Sequence, residues 1–364
     1  KPNRRQALKQ LSMSTIGLAI GPQLLASAHT KSTLEDPLGI ALVGLGNYSR
    51  VMLGPALRAT QNCRLKGVVT GDAEKGRRWA DEYGFSPESV YHYDNFEDIA
   101  DNPEIDIIYI VLPNFMHAEY SIRALRAGKH VICEKPMAMN AEECRQMIQA
   151  SEETGKLLSV GYRLHYEKHH QKVMALAAEK PFGPINMVEA SLAYHQPDPT
   201  IWRLKKDLGG GGAIMDLGVY LIQGCRYGVG EEPIALSARG YIHDQSRFTD
   251  IYETMMFQLE FPSGTIANCT TSYSSYVDQM HVGCYRGYYG LKPSFGGRGT
   301  DGYIRDEAMN LTDVNQQAEH MDDFALSIRE SKAVGVPAEE GLKDMLIVDA
   351  IKRSAKQQGK RILL

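Results

Sequence analysis

Between Leu38 and Gly161, short apolar runs alternate with amphipathic stretches closed by glycine, and that alternation leaves few folds open. LGIALV (38–43) reads as a buried strand ending in a tight turn at Gly44-Leu45-Gly46, with a helix from about Arg50 to Thr60 behind it. Arg64–Val69 is the next strand. The helix Ala73–Tyr83 stops at Gly84, the residue type best able to take the left-handed conformation of a C-cap. Strand Ile105–Leu112 is halted by Pro113, helix Ala118–Ala127 by Gly128, strand His130–Glu134 by Pro136 and helix Ala141–Thr154 by Gly155; strand Lys156–Gly161 closes the series. Strands joined by helices over short connections pair in parallel. The segment is therefore expected to be an α/β domain with a doubly wound sheet, whose ligands bind at the carboxyl ends of the strands.

The pattern changes near residue 162. A helical stretch, the glycine run Gly209–Gly212 and another helix precede strand-like pieces at Ile234–Ile242, Met255–Phe261 and Thr265–Tyr273. An amphipathic helix follows from about Glu340 to Gln358. Strands in succession imply an α+β domain with a large, mostly antiparallel sheet, and 364 residues suffice for two domains. The first thirty residues form a separate object. Arg4-Arg5, a weakly apolar stretch and Ala26-Ser27-Ala28 fit a twin-arginine export leader with its cleavage site, the alternative being an amphipathic arm of a cytoplasmic protein. That stretch is too polar for a membrane span.

Charge and cysteine content exclude other classes. With 40 Lys+Arg against 44 Asp+Glu, the net charge of −4 lacks the basic excess that nucleic-acid binding requires. None of the six cysteines forms a CxxC pair, which argues against a structural zinc site. His165, His169 and His170 have a ligand-like spacing but no second ligand cluster, so they read as an exposed helix face.

Gly44-Leu45-Gly46-Asn47-Tyr48-Ser49 is a G-x-G-x-x-S sequence set between a strand and a helix inside a βαβ unit. In that context the glycines let the backbone approach a pyrophosphate at the helix N-terminus, which defines a Rossmann dinucleotide-binding domain. An NAD site ordinarily has a carboxylate at the tip of the second strand. Here the tip is Thr70, with Lys75 and Arg77 nearby, a set that suits the 2′-phosphate of NADP; Asp72 is either a ribose ligand or the N-cap of the next helix. Glu134-Lys135-Pro136 ends a parallel strand and so faces the cofactor crevice. Asp216 and Tyr220, four apart in MDLGVYLIQ, share one helix face in an otherwise apolar segment. A solvated lysine and a buried hydrogen-bonded pair are the bland alternatives.

GLGNYS, LPNFMHAEY, AGKHVICEKPMA, GYRLHY, WRLKKDLGGGGAIMDLGVY, RYGVGEEP and GYY together resemble the Gfo/Idh/MocA oxidoreductases from about Gly39 to the C-terminus. Within that family the leader, the WRL segment and Tyr220 in place of His are most similar to the periplasmic glucose–fructose oxidoreductase branch. The resemblance implies domains at 31–161, for the dinucleotide, and 162–364, for substrate and oligomerisation. It implies Lys135, Asp216 and Tyr220 around the reacting carbinol. It further implies that Leu112, Pro113, Asn114, His117, Glu134, Arg163, Trp202, Arg203 and Tyr288 line the cofactor. Tyr220 is the expected base, its phenolate favoured by the Lys135 ammonium, while Asp216 holds the substrate hydroxyl or the lysine. Tyr273, Tyr276, Tyr285, Tyr288 and Tyr289 are expected to combine sheet packing with a sugar-binding rim. The activity so implied is oxidation of an aldose at C1 to the lactone and reduction of a second sugar by retained NADPH, in a periplasmic homo-oligomer. The alternatives are a simple NAD(P)-dependent sugar or polyol dehydrogenase with exchangeable cofactor, and a non-catalytic dinucleotide-binding sensor. Thr70 stands where the family has Ser, and His195 and Gln196 occupy a loop that shapes the sugar pocket, so the sugar itself stays unnamed.

Overall fold

The computed structural model describes residues 36–297 and 299–364. The leader-like residues and most of the segment that follows them lie outside the described residues.

The six strands of the first sheet are β1 (Leu38–Val43), β2 (Cys63–Val69), β3 (Val90–Tyr91), β4 (Ile107–Ile110), β5 (His130–Cys133) and β6 (Leu158–Val160). They are all parallel, in the order β3-β2-β1-β4-β5-β6. The order reverses beside β1, so a crevice opens there at the carboxyl ends of the strands. Ile40 to Val43 are fully buried because this sheet is covered on both faces, which is why the strand reads as an unbroken apolar run. Helices α1 (Gly54–Ala59), α2 (Ala73–Tyr83), α3 (His117–Arg126) and α4 (Ala141–Thr154) make the crossovers. The Asp72 carboxylate accepts the Lys75 amide at the start of α2, and Gly84 closes that helix at φ 72°.

The second sheet has nine strands. These are β7 (Ile185–Ala193), β8 (Ala235–Tyr241), β9 (Thr254–Glu260), β10 (Ile266–Ser272), β11 (Val277–Cys284), β12 (Gly287–Leu291), β13 (Gly302–Ile304), β14 (Glu307–Ala308) and β15 (Ile362–Leu363). Their order is β14-β13-β12-β11-β7-β10-β9-β8-β15, and only the β7–β10 pair is parallel. Helices α5 (Lys168–Glu179), α7 (Val219–Val229) and α9 (Ala338–Lys356) pack on one face; α6 (Lys206–Gly209) leads into the glycine run. Helix α7 buries Leu221, Ile222, Cys225 and Val229. Its Arg226 is buried as well, with its guanidinium bonded to Glu232, Glu340 and Asp344.

Helix α8 (Gln316–Glu330) escapes the sequence reading. It leaves the second sheet and packs on the first, where Ala318, Met321, Phe324 and Ala325 share a core with Ile40, Leu42, Leu65, Ile107 and Tyr109. No helix among the described residues is long and apolar enough to cross a membrane.

Candidate active site

Four strand tips converge on one cleft of about 810 Å³: Gly44–Tyr48 after β1, Thr70–Asp72 after β2, Leu112–Asn114 after β4 and Glu134-Lys135 after β5. Gly44 sits at φ 96°, and a Cβ there would meet the Val111 carbonyl oxygen at 2.5 Å, so only glycine makes this turn. A Cβ on Gly46 would have nothing within 4 Å, which leaves its backbone open to a ligand. Ser49 replaces the third glycine of the fingerprint; its buried hydroxyl donates to the Gly44 carbonyl at 2.6 Å and locks the loop. This open backbone cradle fits a dinucleotide pyrophosphate.

At the outer end, Thr70 Oγ1 accepts the Asp72 amide at 3.2 Å, which leaves the Thr70 hydroxyl proton free to donate. Asp72 Oδ1 is occupied by the Lys75 amide at 2.9 Å, the contact that first holds its carboxyl below the ordinary range. The Lys75 ammonium also lines the cleft and forms no salt bridge among the described residues.

Along the floor, Asn114 donates to the Gly209 carbonyl at 2.9 Å and ties the first sheet to the glycine run. The ring nitrogens of His117 face the Leu112 and Pro136 carbonyls, each at 2.8 Å, and burial pushes its pKa down. Glu134 accepts the Tyr109 hydroxyl at 2.9 Å, and burial raises its pKa despite Lys135 beside it.

The inner end is built from both sheets. Lys135 Nζ donates to the Asp216 main-chain carbonyl at 2.9 Å and reaches Asp216 Oδ1 at 3.3 Å. It also lies 4.5 Å from the centroid of the Tyr220 ring. Arg203 Nε approaches the same Oδ1 at 3.4 Å, and its guanidinium stacks 4.5 Å from the Trp202 centroid. Burial pushes the Asp216 carboxyl up, but the Lys135 and Arg203 charges outweigh it and hold the group at about 2. Burial works against the Lys135 ammonium in turn, and the charges of Tyr220, Asp216 and Glu134 hold it above the ordinary lysine value. Asp216 is therefore a carboxylate and Lys135 an ammonium throughout the neutral range.

Of the residues expected at the cofactor, Gly44, Gly46, Asn47, Tyr48, Thr70, Lys75, Leu112, Pro113, Asn114, His117, Glu134, Lys135, Trp202 and Arg203 line this cleft, as do Asp216 and Tyr220. Arg163 stands behind it, bonded to Gln316 and the Phe295 carbonyl, with its guanidinium 5.4 Å from the Tyr220 centroid. Tyr288 is elsewhere. Alternation along β12 sends Tyr289 into the core and Tyr288 to the opposite face, where it meets His281 and Tyr303 and donates to Asp306. The histidines also differ from expectation. His169 and His170 are buried, held by Glu167 and the Ser294 carbonyl. Tyr194, unassigned from sequence, and Tyr273, expected to combine sheet packing with a sugar-binding rim, both donate to Asp216 Oδ2, at 3.3 and 3.1 Å, and Tyr273 is fully buried there.

A glycine-lined dinucleotide cradle that runs into a lysine–carboxylate–tyrosine cluster is the layout of an NAD(P)-dependent oxidoreductase, and comparison with known proteins makes it one that acts on sugars. Residues 38–162 match the Gfo/Idh/MocA oxidoreductase family model with its NAD-binding Rossmann fold, and residues 170–304 match that family's C-terminal domain. The chain belongs to the Gfo/Idh/MocA oxidoreductase family. Aldose-aldose oxidoreductase from Caulobacter crescentus, crystallised with glycerol, superposes with a TM-score of 0.85 at 34% identity over 90% of this chain and 100% of that one. D-xylose 1-dehydrogenase [NADP(+)] of Haloarcula marismortui is 28% identical over 90% of this chain and 94% of its own length. The NADP(+)-dependent scyllo-inositol 2-dehydrogenase of Bacillus subtilis is 25% identical over 89% of this chain and 95% of its own length.

Proposed function

We propose that this protein oxidises an aldose at C1 to the lactone with NADP and passes the electrons to a second sugar before the cofactor leaves. The observation that carries the reading is the cluster of Lys135, Asp216 and Tyr220 where the cleft meets the second sheet. When bound, the nicotinamide accepts hydride and later returns it. Tyr220 takes the C1 hydroxyl proton in the first half-reaction and gives a proton to the carbonyl oxygen of the second sugar in the other. Lys135 supplies a fixed positive charge at the ring face of Tyr220 and beside the reacting oxygen, where negative charge develops. Trp202 and Arg203 wall the cleft at the substrate end.

NADP is favoured over NAD by the outer end of the cleft. A 2′-phosphate there meets the Thr70 hydroxyl and the Lys75 ammonium, while the nearest carboxylate, Asp72, is engaged as a helix cap. Two relatives named above use NADP(+). Retention of the cofactor and a periplasmic location belong to the same reading, since an exported enzyme has no free nicotinamide pool. The leader-like residues and the similarity to an aldose-aldose oxidoreductase support it. A homo-oligomer that covers the cofactor site of a neighbouring subunit would further slow release.

A simple dehydrogenase with exchangeable cofactor is the second reading, favoured by the similarity to D-xylose 1-dehydrogenase. Protein purified without added nucleotide separates the two. Bound NADP(H) that survives gel filtration, is reduced by an aldose and is reoxidised by a second sugar supports the retained-cofactor cycle. Nucleotide-free protein that turns over only with added NADP overturns that cycle and leaves the dehydrogenase.

A further inference from the structure

We propose that Tyr194 and Tyr273 are positioning residues for Lys135, acting through Asp216. They hold one carboxylate oxygen so that the other is presented to the lysine. The inference rests on the assignment of Lys135 and Tyr220 to the chemistry and assigns roles to two residues outside that set.

The geometry divides the carboxylate cleanly. Oδ2 receives the Tyr194 hydroxyl at 3.3 Å and the Tyr273 hydroxyl at 3.1 Å. Oδ1 faces Lys135 Nζ at 3.3 Å and Arg203 Nε at 3.4 Å. A carboxylate offers about four acceptor positions; three hydrogen bonds and the Arg203 ion pair already crowd this one. That leaves it little capacity for a substrate hydroxyl. Of the two roles open to Asp216 in the sequence, the structure favours holding the lysine.

The two phenols are themselves fixed. Tyr194 and Tyr273 directly follow β7 and β10, the parallel pair whose last rung joins Ala193 to Ser272. Tyr194 continues the ladder by donating its amide to the Ser272 carbonyl at 3.2 Å. The rings pack edge to face, with centroids 5.5 Å apart. Gln196 donates to the Tyr194 oxygen at 3.0 Å, so the Tyr194 proton points to Asp216. Burial, reinforced by the Asp216 charge, raises both phenols above the ordinary tyrosine range, and both remain donors at neutral pH. The sheet register thereby sets where the ammonium stands against the Tyr220 ring.

Because the phenols share one oxygen, either alone can still orient the group. The test is a cycle of Tyr194→Phe, Tyr273→Phe and the double variant, read by single-turnover reduction of bound nicotinamide with an aldose. Each single change is expected to slow that step about tenfold, the low end for a hydrogen bond to a charged group. The double change should slow it by more than the product of the two, about several hundredfold, with cofactor affinity unchanged. In protein labelled with 13C at the Asp carboxyl carbons, the Asp216 signal, assigned by its loss in Asp216→Asn, should titrate at higher pH in the double variant. Wild-type rates in all three variants, or slowing that follows lost thermal stability while the Asp216 signal stays in place, would overturn the proposal. If no aldose reduces the nicotinamide in the wild-type protein, the functional reading fails, and the Asp216 titration still decides the positioning role.

Discussion

Replacing Lys135 with methionine should disable the site and leave a measurable trace in acid stability. The ammonium sits 3.3 Å from Asp216 Oδ1, with both side chains largely buried. At an effective dielectric constant of about 20, two charges at that distance attract by about 5 kcal/mol. Burial of the partners offsets part of this. The fall of the Asp216 carboxyl from 3.8 to about 2 corresponds to a net of roughly 2.5 kcal/mol. Arg203 keeps a share of that stabilisation, so Lys135→Met is expected to cost about 2 kcal/mol at neutral pH. The sign follows from the direction of the shift. A carboxyl depressed by folding contributes fully above its unfolded value, and the contribution disappears as pH falls toward about 2. The difference in unfolding free energy between wild type and variant should therefore be constant from neutral pH down to about 4 and close below it. Urea unfolding across that range measures it. Turnover should fall about 10²–10³-fold, as when a charge aimed at the reacting oxygen is removed. A variant matching wild type in stability over the whole range and turning over at the wild-type rate would refute the assigned role of this ion pair.

Tyr220→Phe should lose about 10²–10⁴-fold in turnover, the usual contribution of a general acid–base group, while cofactor affinity measured by fluorescence titration holds. Thr70→Asp sets a carboxylate against the site assigned to the 2′-phosphate; the ratio of kcat/KM for NADP over NAD should fall at least tenfold, and an unchanged ratio would show that the strand tip does not read the phosphate. Arg226→Ala strands three carboxylates around α7, and denaturant unfolding should report a loss of about 3–5 kcal/mol.

Five of the six strands of the first sheet were legible, β1, β4 and β5 most clearly because burial on both faces makes them near-continuous apolar runs; the two-residue β3 (Val90–Tyr91) was not read from sequence. Helix α2 appears with its predicted bounds, since Asp72 and Gly84 mark both ends chemically. The clamp on Asp216 was hidden for the opposite reason. Tyr194 and Tyr273 meet only through the register of β7 with β10, and no local pattern in either segment announces that pairing. Polarity misled at His169 and His170, where the loop carrying Ser294 covers a face that the sequence marks as exposed. Tyr288 was assigned by resemblance, and the two-residue period of its strand turns it away from the cleft.

Helix α8 has a consequence for how the chain is made. The Asp322 carboxylate at its N-terminal half accepts the Gln61 amide at 3.0 Å across 261 residues, and Phe324 and Met321 close the core beside Ile40 and Leu42. A nascent chain that has emerged through β6 thus carries all six strands of its first sheet with part of one apolar face, the part that α8 will cover beside α1 and α2, still open. It must hold that face away from other chains while the whole second sheet is synthesised. Contacts of such long sequence separation form slowly and leave intermediates prone to association. Translation speed and chaperone supply over that interval should therefore govern yield more than the stability of the finished molecule does, and a fragment ending at residue 161 should be recovered mainly as aggregate.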